Sequence, residues 1–413
     1  VGGDTVRVVV QKFGGNSVNT RELRRKAAEK VVEAREEGLS PVVVVSAMGR
    51  SGAPYATDTL IGLALEEYEE CDPRNLDILL TCGETISAVV MAQTLASLGV
   101  PSAVLTGGQA GIITDARFGD ATIERVSPER IRGFLEEERV VVVAGFQGVT
   151  EKGEITTLGR GGSDTSAVAL GVALDAEYVD IFTDVLGVMT ADPRIVPEAQ
   201  ILKGLTYTEA VEIVQHGAKV IHNKAMDVAR EYRIPLRVRS LDDAGKGTLI
   251  CDLKTLASEG LRIMSQENPV YSIAYRPGLA QIRVEFSDAE EKGLNIFSVL
   301  AQQGISIDLI SLFPESVAFT VEEKKGHIVR RTLEEEGFSI RLHAPCAKVS
   351  LVGSGMADRP GVMAALVGAL AQEKVDILQT GDSHVTISCL LWAKHMERAI
   401  QVLHRTFQLE ALC

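Results

Sequence analysis

The residues best placed to do chemistry sit in glycine-bearing stretches. Thr156-Thr157-Leu158-Gly159-Arg160-Gly161-Gly162-Ser163-Asp164 follows a polar turn and runs into residues 167–174, an apolar segment that reads as a helix. Glycine lets a ligand approach the backbone closely. A helix start adds unpaired N–H groups at the positive end of its dipole. Arg160 offers a planar fork for a carboxylate or phosphate, and Asp164 can fix a lysine or help organise a metal–phosphate cluster. The same pattern also describes a glycine turn with a surface ion pair. Lys12-Phe13-Gly14-Gly15 is a second such stretch, lying between a β-branched run (residues 6–11) and a helix that Thr20 would cap. It reads as a phosphate cradle or as a plain turn with a solvated lysine.

Other candidates are single residues. Ser46 ends the apolar run 41–45, and Glu84 follows Gly83 ahead of an apolar helix. Glu84 is either a first-turn partner of the helix dipole or a group that positions an ammonium. Thr183-Asp184 closes another strand, with Thr190-Ala191-Asp192-Pro193-Arg194 beyond it. These stretches suit a nucleotide neighbourhood or turn chemistry alone. Gly217-Ala218-Lys219 brings a lysine close to a glycine, and His222 reads as structural.

The elements that must position these residues follow from periodicity. Runs 6–11, 41–45, 140–146 and 176–183 read as buried strands with helices between them, which implies right-handed parallel crossovers. Ligands in such sheets sit beyond the carboxyl ends of the strands, where Lys12, Gly14, Gly15 and Ser46 fall. Residues 76–98 read as helix broken at Thr81–Thr85, and Ser127-Pro128 opens a helix with proline at its first position. Thr206-Tyr207-Thr208-Glu209 reads as a capping box. Beyond residue 248 the chain repeats itself: Leu300-Ala301-Gln302-Gln303-Gly304-Ile305-Ser306-Ile307 matches Leu370-Ala371-Gln372-Glu373-Lys374-Val375-Asp376-Ile377. Each copy lies within a β-α-β-β unit, the pattern of a tandem ligand-sensing module.

The 413 residues allow two or three domains. A net charge of −14 without a basic run argues against nucleic acid or anionic membrane as partners. No apolar stretch reaches the length of a membrane span and no secretion leader is expected, so the expected location is cytoplasmic. The six cysteines are scattered without metal spacing and read as reduced thiols.

Taken together, Lys12-Phe13-Gly14-Gly15, Gly159-Arg160-Gly161-Gly162-Ser163-Asp164, Phe182-Thr183-Asp184-Val185, Thr190-Ala191-Asp192-Pro193-Arg194 and Gly217-Ala218-Lys219-Val220 resemble the signature set of the aspartokinases. The resemblance covers essentially the whole chain. Pro54-Tyr55-Ala56-Thr57-Asp58, Cys82-Gly83-Glu84-Thr85-Ile86-Ser87 and Asp382-Ser383-His384 look most like the diaminopimelate-regulated branch found in Bacillus-type bacteria. No homoserine dehydrogenase half is expected.

The resemblance implies an α/β amino-acid-kinase fold, a doubly wound and mainly parallel sheet, followed by two α+β ACT-type regulatory domains. The expected boundaries are 1–255, 265–342 and 343–413. It implies transfer of the ATP γ-phosphoryl group to the β-carboxylate of L-aspartate, the first step of lysine, threonine and methionine biosynthesis. Lys12 and Asp164 would be catalytic. Lys12, Gly14, Gly15, Asp184 and Lys219 would bind ATP, and Ser46, Glu84 and Arg160 would bind aspartate. Mg²⁺ would ride on phosphate oxygens, with no protein ligand named.

Asp308, Ser311, Ser316, Gln379, Ser383 and His384 would hold an effector (meso-diaminopimelate, lysine or threonine) or serve turns and strand edges. A homodimer or larger homo-oligomer is expected. The chain departs from the family at Asn16, Leu186 and Asn223-Lys224, of which Asn16 and Leu186 motivate a competing reading as an amino-acid-sensing subunit with little kinase activity. Another amino-acid kinase specificity, such as acetylglutamate, is disfavoured by the tandem repeats.

Overall fold

The computed structural model describes every residue except 1–5, 217–219, 243–244, 262–267, 287–288, 357–358 and 413. The chain divides into two compact units: Val1–Val188 with Ile201–Val214 and Lys219–Ile263, and Met189–Gln200 with Gln215–Ala218 and Met264–Cys413.

The first unit is built on an eight-stranded sheet. Its centre is β1 (Val8–Phe13), β2 (Ser40–Val45), β6 (Val140–Ala144) and β9 (Val179–Thr183). They lie in the order β9-β1-β2-β6 and all pair in parallel. β3 (Ser102–Leu105) extends the β6 edge in parallel, and β11 (Leu236–Ser240) pairs in parallel with β9. One antiparallel contact, between β11 and β12 (Thr248–Cys251), and a parallel β10 (Gly204–Thr206) complete the sheet. The mainly parallel, doubly wound expectation holds. The central strands are valine runs because both faces are covered: Val9, Val10, Val42, Val43, Val142 and Val143 have no exposure. A separate small sheet holds β4 (Ile112–Thr114), β5 (Ile123–Val126), β7 (Gln147–Thr150) and β8 (Ile155–Thr157) in the order β5-β4-β7-β8, its central β4–β7 pair parallel.

The crossover helices follow their end signals. Thr20 caps α1 (Arg21–Glu36), its Oγ1 accepting from the Leu23 amide at 3.2 Å, and Gly38 at φ +78° turns the chain away. After α2 (Thr57–Glu67) comes α3 (Pro73–Ser97), which is continuous where the sequence suggested a break. Gly83 is there for packing: a Cβ would lie 2.8 Å from the Tyr55 carbonyl oxygen and 2.9 Å from the Ala47 Cβ. Thr81 and Thr85 bond back to the carbonyls of Ile78 and Thr81, so the helix keeps them. By length and composition alone α3 could cross a membrane, contrary to the sequence expectation, but half of its most apolar window is buried against the sheet.

Pro128 sits one position earlier than expected, at the N-cap of α4 (Glu129–Glu136). α5 (Gly162–Ala173) starts earlier than residue 167, which puts Asp164 in its first turn. The capping box forms at α6 (Tyr207–Gln215): Glu209 accepts from the Thr206 amide at 2.8 Å. α7 (Asn223–Tyr232) and α8 (Leu253–Ser258) finish the unit.

The second unit is a six-stranded antiparallel sheet in the order β14-β15-β13-β16-β18-β17. The strands are β13 (Val270–Glu285), β14 (Asp308–Phe313), β15 (Ser316–Glu322), β16 (Ser339–Gly353), β17 (Ile377–Asp382) and β18 (Thr386–Trp392). The repeated helices are α9 (Ala289–Gln302) and α11 (Val362–Gln372), accompanied by α10 (Glu323–Glu335) and α12 (Met396–Thr406). The β-α-β-β repeat is therefore present twice, with the two halves sharing one sheet across the β13–β16 pair.

Residues 189–200 belong to this second unit. The Thr190 carbonyl accepts from the Ile273 amide at 2.8 Å, Ser272 donates to the Met189 carbonyl, and Gln401 donates to the Ile195 carbonyl. Asp192 is bound by Arg194 and by the Tyr275 hydroxyl at 2.8 Å, contacts that hold its carboxyl near 2. Of the two readings of this turn, the contacts found are those of turn and tether.

Candidate functional site

The site is built where β1, β2 and β9 end. β1 delivers Lys12, whose ammonium lies 2.6 Å from an oxygen of Asp164 in the first turn of α5; both side chains are about one-eighth exposed. The Asp164 carboxylate also accepts from the His222 amide at 3.2 Å. After Phe13 the chain enters Gly14-Gly15. A Cβ on Gly15 would sit 2.5 Å from the Ala47 carbonyl oxygen, so only glycine fits. The turn is laced to both neighbouring strand ends: the Ser46 amide donates to the Phe13 carbonyl, the Gly49 amide to that of Gly15, and the Gly14 amide to that of Phe182. Phe13 and Phe182 stack beneath it with centroids 4.8 Å apart.

Glu84 reaches the same place from α3. One carboxylate oxygen accepts from the Ala47 amide at 3.0 Å, and the other has no partner among the described residues. The residue is 2% exposed. Burial pushes its carboxyl up to about 7, against the opposing effect of the Ala47 amide. Ser87, one turn on, carries a buried hydroxyl that is also without a partner among the described residues. A buried acid poised near neutrality is the kind of group that an incoming cation would ionise.

The loop before α5 is held by shape. Gly159 and Gly161 have φ of +71° and +72°, and a Cβ on Gly161 would lie 2.0 Å from the His222 ring. Asp120 abuts Gly159, and Lys224 ties Asp120 to the Leu158 carbonyl. Between the glycines Arg160 is exposed and has no ion-pair partner among the described residues. Asp184, after β9, accepts on one oxygen from Asn16 at 3.3 Å and from Arg50 at 3.2 Å.

The structure thus brings Lys12, Gly14, Gly15, Ser46, Glu84, Asp164 and Asp184 to one end of the sheet, with Arg160 on the adjoining loop. Lys219 lies outside the described residues. Sequence reading missed Arg50, and it saw His222 as structural without its contacts to Asp164 and Gly161. The departures at Asn16 and Lys224 keep polar contacts in the site.

In the second unit Asp308, Ser311 and Gln379 form a second constellation. The Gln379 amide donates to the Ser311 hydroxyl at 3.0 Å and to the Leu309 carbonyl, and Asp308 is ion-paired with Lys348. Burial would raise the Asp308 carboxyl, but the bond to Lys348 and its charge outweigh burial and lower it. A small cavity beside it is lined by Arg276, Ser306, Asp308, Thr320, Glu322 and Lys325. Ser316 sits at the β15 edge opposite Phe313, Ser383 caps the turn before β18, and the His384 carbonyl accepts from Met356. No hydrogen bond joins these last three to the Gln379 cluster among the described residues.

A parallel sheet with a glycine turn, a lysine–aspartate pair and a helix start at one end defines a phosphoryl-transfer enzyme of the amino-acid-kinase type. The sequence pattern of the amino acid kinase family matches residues 7–240, and that of the ACT domain matches residues 341–405. The chain is 44% identical to aspartokinase 1 of Bacillus subtilis over 98% of this chain and 100% of that protein. Its fold matches E. coli aspartokinase III solved with aspartate and ADP (TM-score 0.74, 26% identity, 97% and 100% of the two chains). The match to the same enzyme solved with lysine and aspartate has a TM-score of 0.75, at 26% identity over 97% and 99% of the chains. The chain belongs to the aspartokinase family, and it is a kinase acting on aspartate.

Proposed function

We propose that ATP binds across the carboxyl ends of β1 and β9 and that L-aspartate binds between Glu84 and Arg160. The observation that carries this is the Lys12–Asp164 pair, its side chains only about one-eighth exposed, beside the Gly14-Gly15 turn. The β-carboxylate of aspartate is already ionised at neutral pH, so transfer needs no general base. The protein's work is alignment and charge neutralisation. Lys12 and the amides of Gly14 and Gly15 hold the transferring phosphoryl group, and Asp164 fixes Lys12. Arg160 clamps a substrate carboxylate, Glu84 receives the ammonium with Ser46 alongside, and Asp184 and Lys219 face the nucleotide. The product is 4-phospho-L-aspartate.

Among the described residues no cluster of three or more metal-ligating side chains exists. Mg²⁺ would ride on phosphate oxygens and water, where it would neutralise the charge of the phosphate chain.

We further propose that residues 265–342 and 343–413 are paired ACT-type modules following a catalytic domain of residues 1–255. The cavity at Asp308, with Arg276 and Lys325 against Asp308 and Glu322, suits a zwitterionic amino acid such as lysine, threonine or meso-diaminopimelate. The exposed Ile310, Leu312 and Phe313 on edge strand β14 favour pairing of copies as a homodimer or larger assembly. The five described cysteines are free, which suits a cytoplasmic setting.

The test is ADP release from ATP and Mg²⁺ with L-aspartate, with and without each of the three amino acids. Aspartate-dependent release suppressed by one of them is expected. Release that ignores aspartate would overturn the substrate assignment, and suppression by none would overturn the effector class.

A further inference from the structure

Three residues from three neighbouring strand ends converge on one atom. Asp184 follows β9, Asn16 follows β1 and Arg50 follows β2, and both Asn16 and Arg50 donate to Asp184 Oδ2. β1 lies between β9 and β2. Arg50 and Asp184 therefore start two strand spacings apart, about 9–10 Å, and their side chains meet across the exit of β1. That exit is the Gly14-Gly15 turn. The backbone before Arg50 is fixed there, because the Gly49 amide donates to the Gly15 carbonyl. Gly49 itself has φ +85°, and a Cβ on it would lie 2.4 Å from the Ala53 Cβ. The side chain, by contrast, is three-quarters exposed.

We propose that Arg50 is a ligand for the nucleotide's phosphate chain and that Asp184, which it contacts at 3.2 Å, holds it ready at that site. This deepens the reading of the Gly14-Gly15 turn as the phosphate site and rests on it. The guanidinium is a planar, permanently charged fork, the best side-chain match to two phosphate oxygens. Asp184 holds it at the turn's mouth until nucleotide arrives. Phosphate oxygens then take over its N–H donors, and Asp184 keeps its bond from Asn16. Because that exchange involves an exposed ion pair, which is weak in water, releasing Arg50 from Asp184 is a small obstacle to binding.

The experiment compares the full-length protein with Arg50→Gln and Arg50→Lys. It reads steady-state kinetics in both substrates, together with direct binding of AMP, ADP and ATP without aspartate. Arg50→Gln is expected to raise KM for ATP about tenfold or more, the loss of a charge-assisted contact, with KM for aspartate within about twofold. Its binding defect should grow from AMP to ATP, since only the longer chain reaches the guanidinium. Arg50→Lys should recover part of the loss, having the charge without the fork. Unchanged ATP binding in Arg50→Gln, or a rise confined to KM for aspartate, overturns the proposal. Failure of the unaltered protein to turn over ATP with aspartate would instead overturn the kinase site, whereas the nucleotide-binding series still tests Arg50 by itself.

Discussion

Glu84 is the residue whose environment says most about binding. It sits nearly fully buried, with one carboxylate oxygen unpartnered among the described residues and its carboxyl raised to about 7. Its folded value lies above the ordinary carboxylate value. As pH rises through about 4.5 the unfolded chain therefore releases this proton first, and stability falls until the folded carboxyl also ionises near pH 7. The cost above pH 7 is about 3 kcal/mol before any ligand arrives. An ammonium placed against the free oxygen would offset it. Glu84→Gln should therefore be more stable than the unaltered protein at pH 8, by about 1–3 kcal/mol in denaturant melts, and should bind aspartate at least about tenfold more weakly. A Glu84→Gln protein that binds aspartate normally would remove Glu84 from the substrate site. The unaltered enzyme's KM for aspartate should also rise as pH drops below 7, where the carboxyl is protonated. Lys12 has a different signature. Lys12→Ala should lower kcat by at least about a hundredfold, as removal of a charge-stabilising donor does, with aspartate affinity largely kept; near-normal turnover would sink the assignment.

At the scale of elements, the site depends on glycines that a helix or turn cannot exchange. Gly161 takes φ +72° with His222 pressed against its α-carbon side, and Gly83 lets α3 close on Tyr55 and Ala47. Gly161→Ala should distort the Arg160 loop and the first turn of α5 together. We expect a loss of about 1–3 kcal/mol in stability and a larger fall in kcat/KM for aspartate than in thermal midpoint terms would suggest. Gly83→Ala should show a similar stability loss and raise KM for aspartate, since Glu84 is the next residue. Retention of full activity by both would mean that these contacts do not position the site.

The same glycines explain what was legible beforehand. Valine runs and their terminal glycine turns mark β1, β2 and β6 unambiguously, so Lys12, Gly14, Gly15 and Ser46 could be set at strand ends from periodicity. Gly83 between two threonines reads as a helix break until the tertiary contact that requires it is seen. The strands of the small sheet of β4, β5, β7 and β8 are too short and polar for alternation to register. Arg50 carries no local signal at all: its role depends on strand order, which brings residues 16, 50 and 184 together across wide sequence gaps.

For the molecule as a whole, the effector must favour one state of the chain over another, and the covalent path is visible. Residues 189–200 are held by β13 and α12 within the second unit, through Ile273, Tyr275, Gln401 and the buried His404 that meets Thr190 at 3.0 Å. Val188 and Ile201, at the ends of that excursion, belong to the first unit, and Asp184 lies only a few residues upstream. If the tether carries the coupling, a shift of it reaches the end of β9 along this short stretch of backbone. Coupling of this kind has a typical size of about 1–3 kcal/mol, or a 5–150-fold change in affinity, and it is reciprocal. If an effector weakens the joint binding of ATP analogue and aspartate by some factor, the two ligands at saturation must weaken effector binding by that same factor. Calorimetric titration of the effector with and without both ligands measures it directly. Asp308→Asn should lower effector affinity at least about tenfold by removing a charged partner, with uninhibited kcat within about twofold. If effector affinity does not respond to substrates while the effector still lowers the rate, inhibition acts on the chemical step rather than through a shift between two binding states. The tether would then have no part in it.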